Sequence, residues 1–278
     1  MTYDVLGPGA LDYEPCRYGE SKLLFRGPER SLTGPYVACL GGAETYGRFV
    51  KSPFPALVER DLGLNCINFG IPNAGVQVFA SDPMLREVTA GARVTVVQVM
   101  GAQNLANSYY AVHPRRNDRF VAAHSALQTL YRDVDFAEFH FNKHLLSALF
   151  DVSPDRFAVV RQELQRAWVS QMAQMLGEIP GKIVLLWLAD HAPLGNELVG
   201  LDPARARDPL FVTRQMLAEV RPLVDEIVRV VISPEAQAQG MVGKVYAEME
   251  VPAAMALPGP AAHAEAAKAL AAALERLI

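Results

Sequence analysis

Polar side chains follow directly on a short apolar run near residue 40, where a ligand-binding loop is expected. The run at residues 37–40 is long enough for a buried strand, and the pair Gly41-Gly42 ends it. The segment leaving the carboxyl end of a strand faces the ligand crevice in α/β proteins, although a tight turn into a helix is the alternative. Glu44 could act as a general acid or base, or form an ion pair with Arg48. The candidates on this loop are Gly42, Ala43, Glu44, Thr45 and Tyr46.

The densest charge cluster of the chain, HPRRNDRF, offers groups that bind anions. Arginine guanidiniums suit bidentate recognition of carboxylate, sulfate or phosphate, and His113 adds a group that titrates near neutral pH. The alternative is a solvated loop in which Arg119 pairs with Asp118, a contact worth little energetically. The candidates in this cluster are His113 as an acid or base, and Arg115, Arg116 and Arg119 as ligand contacts.

The pair Asp190-His191 follows an apolar run at residues 182–188. His191 could act as a general base or cap a turn, and Asp190 could contact the ligand. Adjacent side chains on an extended segment point in opposite directions, so we do not expect Asp190 to orient His191.

No metal or cofactor is predicted. His140 and His144 are four residues apart on a predicted helix, a spacing that can bind metal, but no third ligand is evident. The three cysteines include no CxxC pair, and two of them lie in apolar runs that predict buried thiols. Neither GxGxxG nor GxxxxGK[ST] occurs, which disfavours a nucleotide-dependent enzyme.

Alternating strands and helices must position these residues, and they predict a parallel sheet covered on both faces. Strands are predicted at residues 37–40, 64–69, 94–100, 182–188 and 227–232. Helices are predicted at residues 54–62, 76–90 with a break at Asp82-Pro83, 136–150, 154–176, 213–220 and 261–278. Residues 108–135 are predicted to be more polar, and residues 194–209 are predicted to form a polar loop. Glycine-containing loops at residues 41–47, 70–75 and 101–107 should open on one sheet edge, which adds Gly70, Asn73, Gln103 and Asn104 to the site candidates.

Composition predicts a globular chain with one α/β domain at residues 36–278 and an extended arm at residues 1–35. The 278 residues are 51% hydrophobic and 20% charged, with a net charge of -4 that disfavours nucleic-acid binding. Neither a signal peptide nor a membrane-spanning run is evident, so a cytoplasmic protein without membrane contact is expected. The arm is rich in Gly and Pro, and its aromatic residues Tyr3, Tyr13, Tyr18 and Phe25 predict packing on the domain or a homodimer contact.

The three loops together resemble the blocks of the SGNH/GDSL hydrolase superfamily, the first of which is Gly-Asp-Ser-x-Thr after the first strand. GGAETYG places residues 41–45 on those positions, Asn68-Phe69-Gly70 resembles the second block, and residues 101–104 resemble the Gly-x-Asn-Asp block. Over nearly the whole chain, GGAETYGRFVKSPFPALVE, VVQVMGAQN, VHPRRNDRF and LPGPAAHAEAA resemble an alphaproteobacterial family catalogued as a domain of unknown function, DUF6473. That second resemblance implies no reaction.

The departures from the hydrolase blocks argue against ordinary serine esterase chemistry. The superfamily's nucleophilic serine corresponds to Ala43, which has no oxygen to attack an acyl carbon. The Asp-x-x-His block before the last helix corresponds to Pro260 and His263, so the carboxylate is missing. The resemblance still implies oxyanion donors from backbone amides after Gly42 and near Gly70, with the side chain of Gln103 or Asn104.

We therefore expect a three-layer α/β/α sandwich of the flavodoxin-like SGNH type. Its crevice is expected to bind an anionic or acylated small molecule or a glycan, as a transferase or hydrolase without the usual serine. The alternative is a non-catalytic binding or assembly protein that kept the fold and lost the triad.

Overall fold

The computed structural model describes residues 9–195, 202–204 and 206–278, and its centre is a five-stranded parallel sheet. The strands are β1 (Tyr36–Gly41), β2 (Asn65–Gly70), β3 (Val94–Gln98), β4 (Tyr110–His113), β5 (Arg116–Ala123), β6 (Lys182–Ala189) and β7 (Glu226–Val231). The central sheet has the order β2-β1-β3-β6-β7, and β4 pairs with β5 in a separate antiparallel ribbon. The predicted fold class, a central parallel sheet flanked by helices, is confirmed.

Helices cover both faces of the sheet. They are α1 (Ala43–Tyr46), α2 (Phe54–Leu62), α3 (Val76–Ala80), α4 (Pro83–Gly91), α5 (Ser125–Leu130), α6 (Asn142–Val152), α7 (Pro154–Glu178), α8 (Arg214–Val220), α9 (Pro234–Ala238), α10 (Val251–Ala256) and α11 (Pro260–Leu277). Short 3-10 helices lie at Phe136–Glu138, Arg221–Leu223 and Glu248–Glu250. The long helix α7 begins as the sequence predicts, because the Ser153 side chain accepts from the backbone N–H of Arg156 and Pro154 takes the first helical position.

Alternate residues of the strands enter two different cores, which explains why these strands are apolar on both sides. In β1, Val37 and Cys39 pack in the core that includes α2 and α11. Ala38 and Leu40 pack in the larger core on the opposite face, which includes Trp168 of α7. A parallel sheet covered on both faces requires near-continuous hydrophobic strands, and all five residues of β3 are buried.

The strand order places a crevice at the carboxyl ends of β1 and β3. If the five parallel strands are numbered by their position in the chain, their spatial order in the sheet is 2-1-3-4-5, the flavodoxin-like arrangement. The second strand lies on one side of the first strand and the third strand lies on its other side, so the strand order reverses there. Gly41 at the end of β1 pairs with Gly70 at the end of β2, and β3 is parallel to β1. The three glycine-containing loops therefore open on one edge, as predicted.

The region after residue 108 contains elements that the sequence analysis did not assign. Residues 108–135 contain the β4–β5 hairpin and α5. The helix predicted at residues 136–150 begins only at Asn142, because Arg119 of β5 bridges to Phe141 and the N–H of Phe120 donates to the His140 carbonyl, which holds that stretch extended. His140 and His144 consequently do not share a helix. No cluster of metal-ligating side chains occurs in the described parts of the chain.

The described part of the predicted arm, residues 9–35, packs on the sheet. The rings of Tyr18 and Phe25 are buried, and each has its centroid 5.2 Å from that of Phe69. The buried guanidinium of Arg26 donates to the carbonyl oxygens of Tyr46, Gly47, Val50 and Lys51. Tyr3 lies outside the described residues, as does part of the predicted loop at residues 194–209. No helix within the described ranges combines the length and hydropathy needed to cross a bilayer.

Candidate functional site

The amide side chain of Gln98 organises the loop after β1. Its buried oxygen accepts hydrogen bonds from the backbone N–H of Gly42 at 3.0 Å, the N–H of Thr45 at 3.2 Å and the Thr45 hydroxyl at 2.6 Å. Its nitrogen donates to the Glu44 carboxylate at 2.8 Å. The first turn of α1 is thereby fastened to the end of β3, 54 residues later in the chain.

Glycine at position 41 is required by this close approach. A Cβ there would lie 2.1 Å from the Thr45 hydroxyl oxygen and 2.5 Å from the Gln98 amide oxygen, too close for any side chain. Gln98 was not a candidate from the sequence. The signal that could have identified it is an amide side chain inside the apolar strand VTVVQVM. A buried amide must find hydrogen-bond partners, but its partners lie in a distant segment.

Glu44 is the half-buried carboxyl group at the centre of the site. Burial raises the pKa of Glu44 above its ordinary value, the nearby Asp208 carboxylate adds to the rise, and the hydrogen bond from Gln98 opposes it. A carboxyl group with a raised pKa, placed where strands end at a topological switch point, can donate or accept a proton.

Glu44 lines a cleft of about 770 Å³ at the carboxyl edge of the sheet. This volume lies within the range of small-molecule sites. The cleft is also lined by residues that follow β6, by α9, and by the segment from α10 to the start of α11. The predicted site residues that line it are Ala43, Glu44, Asn73, Gln103, Asn104 and Asp190.

Three other predicted residues do not line the cleft and instead form hydrogen bonds with residues of the central sheet. Gly42 and Thr45 bind Gln98, and the N–H of Gly70 donates to the side-chain oxygen of Asn68 at 2.9 Å. The N–H groups of Gly42 and Gly70 are therefore engaged within the protein, whereas oxyanion donors after Gly42 and near Gly70 stay a prediction. Asn104 also uses its amide internally, donating to the Asn73 carbonyl at 3.2 Å.

The predicted arginine cluster lies on the β4–β5 hairpin and does not line the cleft. Arg115 and Arg116 are exposed at the hairpin turn, and His113 accepts from the backbone N–H of Arg115 at 3.2 Å. Arg119 does not pair with Asp118. Its guanidinium carbon instead lies 4.2 Å from the ring centroid of Phe141.

Tyr46 and His191 also point to neighbours other than the cleft. The Tyr46 ring packs against Tyr13 with centroids 5.1 Å apart. His191 is buried with its ring edge against Trp187, and its Nδ1 lies 2.8 Å from the Ala192 carbonyl oxygen. The Asp190 carboxylate is 4.0 Å from the other His191 nitrogen, a separation too long for a hydrogen bond, as the extended geometry predicts.

His263, at the position of the hydrolase block's histidine, is held as a neutral core residue. It is 1% exposed, and its Nδ1 accepts from the backbone N–H of Phe54 at 3.1 Å. Burial lowers its pKa to about 3, and the charges of Arg26 and Lys244 contribute. The His263 side chain does not line the cleft, whereas the preceding Ala262 does.

The sequence did not single out several charged residues that line the cleft. Asp208 accepts from the Gln103 side chain at 3.2 Å, and Arg207 donates to Asp190 at 3.3 Å. These residues come from a polar loop without a recognisable motif, so only the fold brings them to the site. Lys143 and Lys244 also line the cleft and were not singled out. Arg48 and Asp118, named from the sequence as possible ion-pair partners, line it as well.

Solved structures with limited similarity include two ester hydrolases. A carbohydrate esterase family 2 enzyme with a carbohydrate-binding domain from Corynascus thermopiles (Myceliophthora fergusii) is 10% identical, with 91% of this chain and 69% of that chain covered and a TM-score of 0.44. The lipase Lip_vut3 from a goat rumen metagenome is 11% identical, with 86% and 97% covered and a TM-score of 0.42. Neither similarity carries information about activity at these scores. No curated protein matches the sequence. The model of a family described as a domain of unknown function, DUF6473, matches residues 1–278.

Proposed function

We propose that this chain, which belongs to the DUF6473 family along its whole length, binds a glycan or similar polyhydroxylated molecule in the cleft and uses Glu44 as an acid or base on it. The observation that carries the proposal is the Glu44 carboxyl group. It lines the cleft at the switch point between β1 and β3, is oriented by Gln98, and has a raised pKa.

Hydrogen-bond acceptors in the cleft support a ligand rich in hydroxyl groups. The carboxylates of Glu44, Asp190 and Asp208 line it together with the amide of the exposed Asn73. Hydroxyl donors of a sugar match carboxylate and amide oxygens, whereas a phosphate or carboxylate ligand would meet like charge.

The cations of the cleft are mostly engaged already, which disfavours the anionic ligand expected from sequence. Arg48 pairs with Glu250 at 3.2 Å, and Arg207 pairs with Asp190 at 3.3 Å. Lys244 donates to the backbone carbonyls of Ala254 and Leu257. An anion would have to displace these contacts, while a neutral polyol can bind beside them.

The alternative proposal is a non-catalytic glycan-binding protein. It is favoured by Ala43 at the position of the superfamily's nucleophile and by the burial of His263, which leaves no serine and histidine pair in the described lining of the cleft. On this alternative, the Glu44 carboxylate only accepts hydrogen bonds from the ligand.

Binding and turnover measured on the same variants separate the two proposals. Wild type, Glu44→Gln and the control Glu87→Gln on the exposed side of α4 would be incubated with unmodified and acylated oligosaccharides, with calorimetry for binding and mass spectrometry for products. Because the amide oxygen introduced by Glu44→Gln can still accept a hydrogen bond from Gln98, an enzyme should lose roughly 100-fold or more of its turnover while its affinity changes little. Binding without products in wild type would select the non-catalytic alternative. Absence of binding to every saccharide would contradict both.

A further inference from the structure

An exposed aromatic ring belongs to the lining of the same cleft as Glu44. Phe141 is 42% exposed and lines the cleft immediately before α6. A series of contacts separates it from the acid. Asp208 lies near Glu44 and accepts from Gln103, whose carbonyl accepts from the Asn142 side chain next to Phe141.

Contacts of Arg119 with Phe141 and of the neighbouring Asn142 with the backbone fix the position of this ring. Arg119 forms a backbone bridge to Phe141, and its guanidinium carbon lies 4.2 Å from the ring centroid. The Arg119 Nε is buried without a hydrogen-bond acceptor in the described residues, so packing against the ring accounts for the placement of the guanidinium better than polar pairing does. The following Asn142 is fully buried and donates to the backbone carbonyls of Gln103 and Asn117, which anchors the segment.

Two charged residues close to this segment also line the cleft. They are Asp118, which precedes Arg119 in β5, and the exposed Lys143, two residues after Phe141. Neither side chain forms an ion pair with another described residue. A hydrogen-bond acceptor and a donor in the same lining as an apolar ring match a pyranose, which has a face of C–H groups and hydroxyl groups around its edge.

We infer that Phe141, Asp118 and Lys143 form a second sugar subsite in the cleft, so that the ligand is an oligosaccharide of at least two units. This inference rests on the proposed function. One unit lies against Glu44 and the next unit stacks on Phe141.

Chain-length dependence of binding tests the subsite. Kd would be measured by calorimetry for gluco-, manno- and xylo-oligosaccharides of one to six units with wild type, Phe141→Ala, Phe141→Trp and Lys143→Ala. Val121→Ala, an exposed apolar position on the same hairpin outside the cleft, is the control. We expect Phe141→Ala to weaken binding of longer chains roughly fivefold, as expected for loss of a stacking contact, and to leave the monosaccharide Kd unchanged. Phe141→Trp should retain the length dependence, and Lys143→Ala should lose part of it.

The outcomes distinguish failure of the subsite from failure of the proposed function. If wild type binds oligosaccharides and Phe141→Ala binds them equally well, or loses mono- and oligosaccharides alike, the second subsite is wrong and the cleft assignment stands. If wild type binds none of the saccharides, the proposed function is wrong and the subsite with it. Melting temperatures of all variants identify any that fail to fold.

Discussion

Replacing Gln98 with alanine should destabilise the protein severely, because one side chain satisfies several buried groups. The change leaves two backbone N–H groups and the Thr45 hydroxyl without their acceptor, and it removes the donor to Glu44. An unsatisfied buried donor costs about 1–3 kcal/mol, so for three donors we expect a loss of about 3–9 kcal/mol in the free energy of unfolding. That is a large part of the roughly 5–15 kcal/mol that stabilises a typical domain.

Urea denaturation of wild type, Gln98→Ala and the exposed-site control Gln174→Ala would measure this loss. The control should stay within about 0.5 kcal/mol of wild type. Gln98→Glu keeps an acceptor for the three donors but sets a carboxylate against Glu44, so its destabilisation should increase as the pH rises above the usual range of carboxyl pKa values. A loss below about 1 kcal/mol for Gln98→Ala would refute the view that this amide organises the loop after β1.

Three further predictions concern residues around the cleft. Ala43→Ser should not create an esterase, because no histidine belongs to the described lining of the cleft that contains Ala43. Hydrolysis of p-nitrophenyl acetate should stay at the wild-type rate, and a rise of roughly tenfold or more would contradict this. Arg26→Ala should cost about 3 kcal/mol in urea denaturation, with little rescue by Arg26→Lys, because an ammonium cannot reach all four carbonyl oxygens. The pKa of His263 is lowered to about 3 in the folded protein, whereas the same histidine in the unfolded chain has the ordinary pKa of about 6.5. Below about pH 6.5 the unfolded chain therefore binds a proton that the folded protein does not bind, and the folded protein loses stability. At about pH 4.5 the loss should be about 3 kcal/mol relative to about pH 7 and should be reduced in His263→Gln; equal pH dependence in both proteins would contradict it.

Local sequence patterns were sufficient to predict the central sheet. Apolar residues are frequent in each parallel strand, although Asn68, Thr95 and Arg229 interrupt three of the strands. Helix α2 begins and ends where Pro55 and Gly63 indicate. The β4–β5 hairpin was missed because β5 is mostly exposed or half-buried, and its pairing with β4 is irregular. A strand without a buried face has no hydrophobic alternation to detect.

The site was predictable only where a residue's role depends on its position after a strand. Glu44, Asn73 and Asp190 reach the cleft because the carboxyl ends of parallel strands meet at one edge. Arg115 and Arg116 were selected for their chemistry, but the hairpin carries them away from the cleft. The role of Gln98 depends on hydrogen-bond partners that are distant in the sequence. The role proposed for Phe141 depends on which face of its loop is exposed. A single sequence records neither.

The most direct test of the cleft as the ligand site compares it with the hairpin. Melting temperatures of wild type, Gln103→Ala and Arg115→Ala/Arg116→Ala would be measured with neutral oligosaccharides, sulfate and phosphate, since a ligand that binds the folded state raises the melting temperature. We predict that an oligosaccharide stabilises wild type and the hairpin variant and stabilises Gln103→Ala much less. Stabilisation by sulfate or phosphate alone, lost only in the hairpin variant, would contradict it.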